Sequence, residues 1–256
     1  MSIFGAFMLW VHTLSAFEET TGLPIPGSPW SYAVIVFALL NALILFFWVR
    51  SFRKYPPPRR HAEALSAGGR AYPIVSAVIG GIMFGGALLN LFDYLRASDS
   101  SLELAAVVFS FLCAFSMMTF MIGLSGGGRG ARLKIVCILL FLCTWLLSTY
   151  KAFAADPILW HFAPRILSIS ASTLAFYYIA GIIYGHPRHL RALYFSLLGT
   201  FSCIFTLSDS LPVSQQIISL SLALMTLLLA FLLVNNMAPA AKPEPESAED
   251  FEANEG

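Results

Sequence analysis

SQQIISLSLALMTLLLAFLLVNN, residues 214–236, contains no charge, no proline and no glycine. It is apolar all round and lacks the two-residue alternation of a barrel strand, so it reads as a helix immersed in an apolar medium. A helix needs about 20 such residues to cross roughly 30 Å of hydrocarbon, and this stretch is long enough. Working back towards the N-terminus, six further runs have the same character, at about 31–49, 72–95, 101–124, 133–150, 165–185 and 190–208. The expected fold class is therefore all-α: a polytopic membrane helix bundle with seven transmembrane helices.

Composition points the same way. Only 11% of the 256 residues are charged, against about 25% in soluble domains, and the mean hydropathy is +0.76. A water-soluble fold could not cover its surface with so few charges, whereas a bilayer removes that demand. The spans consume nearly the whole sequence, so no separate soluble domain is expected. The organisation reads as an N-terminal interfacial helix and outer loop over 1–30, a bundle over 31–236 and an acidic tail over 237–256.

Lysine and arginine set the orientation. The connection after the first span holds Arg50, Arg53, Lys54, Arg59, Arg60 and Arg70, the one after the third Arg129, Arg132 and Lys134, and the one after the fifth Arg188 and Arg191; Lys242 lies in the tail. These twelve fall on one side of the membrane, and only Arg96, Lys151 and Arg165 fall on the other. The positive-inside rule places the larger set in the cytoplasm, which predicts an outside N-terminus, a cytoplasmic C-terminus and residence in the plasma membrane. The cluster Arg50, Arg53, Lys54, Arg59 and Arg60, with Pro56–Pro58, fits attraction to anionic lipid at the membrane surface better than contact with nucleic acid.

The two ends differ from the bundle. Residues 1–17 are uncharged but short for a span, and Phe4, Phe7, Val11 and Leu14 recur at helical spacing. They read as an interfacial helix on the outer surface, with a short eighth span as the alternative. The start lacks the basic region and cleavage site of a signal peptide. The tail carries six acids against Lys242; unable to bury apolar area, it is expected to be disordered, either merely solvated or docking a cytoplasmic partner.

Ionisable groups within a membrane are costly and mark candidate sites. Five spans carry one near the outer end: Asp93, Glu103, Lys151, Arg165 and Asp209. Small polar residues share a helical face with each: Asn90 and Gly86 below Asp93, Ser110 below Glu103, Ser148 and Thr144 below Lys151, Ser168 and Ser172 below Arg165, and Thr206 and Ser202 below Asp209. Convergent faces would form a polar funnel open to the outside, with Lys151 and Arg165 for an anionic group and Asp93 and Asp209 for a cationic one. Divergent faces would leave only interhelical hydrogen bonds and snorkelling charges.

Packing signals are fewer. Gly81 and Gly85 form a Gly-x-x-x-Gly, extended by Ala77, which suits close helix approach within the bundle, a homodimer face or a hinge. Asn41, mid-way along the first span, calls for a hydrogen-bond partner. The four cysteines lie in apolar runs and the five histidines lie off the span centres, so no metal, haem or other cofactor is expected. No hydrolase or phosphate-binding motif is present, and the last span has no lysine to carry a retinal Schiff base.

Three functional classes follow. The first is a non-enzymatic sensor, receptor-like protein or accessory membrane subunit, with a small polar ligand on its outer face or a membrane protein partner. The second is a small-solute permease, which would need a path through the inner half past Ser76, Ser116, Thr119, Ser196 and Thr200. The third is an intramembrane enzyme using Asp93, Glu103 or Asp209 as acid or base; no motif supports it.

Overall fold

A computed structural model of the chain describes residues 29–54, 71–97, 101–125, 129–154, 162–186, 188–208 and 211–237, with Gly5, Phe7, Val11 and Leu65 as isolated positions. The described residues contain seven α-helices and no strand: α1 (Pro29–Ser51), which runs into a 3₁₀ turn at Phe52–Lys54, α2 (Ala71–Ala97), α3 (Ser101–Ser125), α4 (Arg129–Phe153), α5 (Ala163–Ile183), α6 (His189–Thr206) and α7 (Val213–Asn236). Six of them, all but α6, are long and apolar enough to cross a membrane. The chain is an integral membrane protein with a helical bundle.

The exception has a physical reason. α6 has 18 residues, about 27 Å at 1.5 Å per residue, and its first turn carries His189 and Arg191. It can be less apolar because its neighbours cover it: α5 and α7 flank it and α1 packs across its outer face. The contacts Phe37–Phe201 and Phe46–Tyr194, with ring centroids both 6.1 Å apart, hold α1 there.

The six helices α2 to α7 form a closed ring in chain order, α7 returning to pack on α2, with α5 also touching α7. Short connections between antiparallel neighbours produce this arrangement. One continuous apolar cluster draws on all six, and Phe120, Phe141, Phe176, Met83, Met117 and Met121 are among its fully buried side chains. α1 stays outside the ring. It buries only Val34, Asn41 and Val49 and leaves a wide apolar surface, including Leu39, Leu43 and Phe47, exposed, which is stable only against lipid or another apolar partner.

Proline and glycine mark several helix ends. Pro164 lies in the first turn of α5, Pro212 caps α7 and Pro73 is the third residue of α2. The end of α5 is a Schellman motif: Gly185 has φ +92°, its N–H donates to the Ile182 carbonyl, and the His186 N–H donates to the Gly181 carbonyl at 2.7 Å. The helices extend past several expected spans, most clearly at α4, which begins at Arg129 and not at residue 133. Apolarity ends before the hydrogen-bond ladder does, since a helix can continue into the polar interface.

Of the three roles expected of Gly81 and Gly85, close approach within the bundle is not met. Gly81 and Gly85 face open space, and a Cβ at either would meet nothing within 4 Å. Close approach occurs instead at Gly80, which abuts the Met118 backbone of α3, and at Gly86, where a Cβ would lie 3.0 Å from Ile218 of α7. The ring needs room on the two flanks of α2 that meet α3 and α7, and Gly81 and Gly85 lie between those flanks. Ala77 is half-buried.

At the N-terminus, Gly5, Phe7 and Val11 are helical. Gly5 is buried, with Phe37, Phe201 and Phe205 each within 2.9–3.2 Å of where a Cβ would stand. The remainder of residues 1–17, Arg59, Arg60, Asp209 and the acidic tail lie outside the described residues.

Candidate functional site

The end of the bundle that joins α2 to α3, α4 to α5 and α6 to α7 carries Asp93, Glu103, Lys151 and Arg165. The opposite end, called the basic rim below, carries Arg50, Arg53, Lys54, Arg132, Arg188 and Arg191. The helix connections therefore gather the four described candidate charges at one rim.

Their surroundings differ. Arg165 is only 7% exposed. Its guanidinium lies over the Trp145 ring at 5.8 Å and the Phe153 ring at 6.0 Å, both on α4, so electron-rich ring faces stabilise a desolvated cation. Asp93 is exposed, and its Oδ2 accepts a 2.6 Å hydrogen bond from Ser214 Oγ at the start of α7. Lys151 is exposed, while Glu103 and Asn90 are half-buried. Asp93 and Arg165 are thus each engaged with a neighbouring helix, at different seams of the ring.

Most hydroxyls expected below the charges bond locally. Ser110 Oγ donates to the Val107 carbonyl, Thr144 Oγ1 to Leu140, Ser168 Oγ to Arg165 and Thr206 Oγ1 to Cys203, at 2.6–2.9 Å. Such back-bonding uses the donor on the helix's own carbonyl and leaves only the oxygen lone pairs for a neighbour or ligand. Ser148 is half-buried, and Ser202 is buried.

A polar or cation–π contact crosses every seam of the ring. Ser76 Oγ donates to the Met117 carbonyl between α2 and α3, and Lys134 Nζ to the Thr119 carbonyl between α3 and α4, both at 2.6 Å. Arg165 on Trp145 joins α5 to α4. Ser172 Oγ lies 3.2 Å from Cys203 Sγ between α5 and α6, and Thr200 Oγ1 lies 2.9 Å from Thr226 Oγ1 between α6 and α7. Asp93 and Ser214 close the ring between α2 and α7. In lipid, where apolar surface alone gives helices little reason to associate, such contacts fix partner and register at roughly 0.6–2 kcal/mol each.

Sequence reasoning found Asp93 and Arg165 but not Ser214, Trp145 or Phe153. Their only signal was position, since each stands within a turn or two of a span end. Lys134, counted with the basic residues after the third span and within the expected span from 133, lies inside α4 and reaches back to α3. The hydrogen bond expected of Asn41 is not made by its Nδ2. Asn41 is 3% exposed, and the Phe37–Phe201 and Phe46–Tyr194 contacts bracket its level on α1 with apolar rings.

Among the described residues no three His, Cys, Asp or Glu side chains are placed to hold a metal ion. Comparison with family models, with curated proteins and with solved structures finds no match to this chain.

The Asp93–Ser214 contact gives a direct test. A double-mutant cycle with Asp93→Asn and Ser214→Ala, read by thermal unfolding in detergent, is expected to show coupling of about 1 kcal/mol. Strict additivity would mean that the contact contributes nothing.

Proposed function

We propose that this chain is a seven-span plasma-membrane protein with its N-terminus outside. In this reading it is a non-enzymatic, receptor-like or accessory subunit that takes a small polar or zwitterionic ligand at its outer rim. The observation that carries this reading is the packed interior below that rim. Towards the basic rim, Met121, Ile135, Ile182, Ala192, Leu193, Leu232 and Leu233 are all buried in one apolar cluster. A polar solute would have to part this layer to cross, whereas one approaching the opposite rim meets Asp93, Glu103 and Lys151 at its surface. Asp209 would complete a binding set with Asn90, Ser148, Arg165, Ser168 and Thr206. The exposed face of α1 supports the accessory role, since it offers a broad apolar surface to a membrane partner.

The twelve-to-three division of basic residues supports the orientation. Impermeant labelling of single cysteines near residue 2 and in the tail of intact cells should modify only the former.

For function, the purified full chain would be tested in proteoliposomes against a panel of amino acids and quaternary amines. The expected result is a rise in Tm with at least one zwitterionic solute, lost in Lys151→Glu and Asp93→Asn, with no solute flux above protein-free vesicles. Flux that depends on the protein would overturn this reading in favour of a permease.

A further inference from the structure

The α4–α5 seam is the most sparsely packed in the ring. The two helices are clasped at one end by Arg165 on Trp145 and Phe153, and by the Phe153–Phe162 stack at 5.8 Å. Nearer the basic rim a groove of about 700 Å³ lies between them. Val136 and Leu139 of α4 form one wall and Tyr177 and Tyr184 of α5 the other. Gly181 and Ala180 leave its floor low, and the Schellman turn folds His186 back over Gly181 at the mouth. The groove faces outward from the ring, since Tyr177 is 58% and Tyr184 50% exposed.

Its mouth is cationic. Arg188 lines it, and the Arg132 guanidinium lies 5.7 Å over the Tyr184 ring at the same level. The only acids among the described residues, Asp93 and Glu103, are at the opposite rim. A slot with apolar walls, open to the hydrocarbon and ending in two arginines at headgroup depth, complements a molecule with an apolar tail and an anionic head.

We propose that this groove is a binding site for a phospholipid with a net negative headgroup. The phosphate sits between Arg132 and Arg188, and one acyl chain lies along Val136, Leu139 and Tyr177. Tail burial gives little preference here, because the surrounding lipid is equally apolar. Selectivity comes from the two arginines, about fivefold each in binding constant. The proposal needs only that the chain is a membrane protein, and it stands whichever way the bundle is oriented.

The test is lipid retention by the full-length protein, measured by native mass spectrometry after incubation with phosphatidylglycerol or phosphatidylcholine of matched chains. The wild type should retain phosphatidylglycerol about 30-fold better. Arg132→Gln with Arg188→Gln should bring the two lipids close to parity. Val136→Trp, which fills the groove without touching its charge, should reduce retention of phosphatidylglycerol. Arg50→Gln with Arg53→Gln, elsewhere on the same rim, should keep the preference, and a melt in detergent checks that each variant is folded. Equal retention of the two lipids by the wild type would overturn the proposal, as would an equal loss in the Arg50/Arg53 variant, which signals diffuse attraction. Full displacement of the lipid by free glycerol phosphate would also overturn it, revealing a simple anion site.

Discussion

Alanine at Gly80 is expected to destabilise the bundle, while alanine at the adjacent Gly81 stabilises it. A Cβ on Gly80 would stand 2.7 Å from the Met118 Cα and closer still to its backbone nitrogen. A flexible side chain could swing aside, but the backbone of α3 cannot move without separating two helices. Overpacking of this kind costs about 1–3 kcal/mol, and a backbone obstacle places Gly80→Ala at the upper end. At Gly81 and Gly85 the added methyl meets nothing, and replacing a helical glycine contributes roughly 0.5–1 kcal/mol. Thermal unfolding of the three single variants in one detergent checks this. Equal effects at all three positions would show that the face of α2 turned towards α3 has been misassigned.

The second large effect concerns Arg165. Arg165→Gln removes a buried cation from two ring faces and should cost about 2 kcal/mol. Arg165→Glu sets a carboxylate against those same electron-rich faces and should prevent recovery of folded protein. The same reversal at Lys151, which is exposed on α4, should cost less than about 1 kcal/mol. Fluorescence-detected size exclusion of the three variants separates them. A well-folded Arg165→Glu would mean that the guanidinium is not held between the rings. Because Lys151→Glu keeps the fold, it is the variant in which a change in ligand response can be read without a change in stability.

The two candidate charges were legible to different degrees. Arg165 stood out because an ionisable group at the outer end of a span marks a candidate site. Nothing in its own helix indicated burial, because the rings that cover it belong to α4. Asp93 was equally visible, yet its partner Ser214 lies 121 positions away and becomes adjacent only when α7 closes on α2. The glycine run of α2 shows the same limit. Spacing groups Gly81 and Gly85 on one face, but which glycines are crowded depends on where the neighbouring helices stand.

The medium and the elements follow from the amino-acid sequence alone. Runs such as 214–236 are too long and too uniformly apolar for any solvent but lipid, and in lipid the backbone must satisfy its own hydrogen bonds, so helices follow. Helix packing sets which helices belong to the ring, why α1 is left outside it and where each seam is tied. These depend on pairings between side chains far apart in the chain. An apolar helix, attractive to lipid on every side, carries almost no record of which neighbour it will meet.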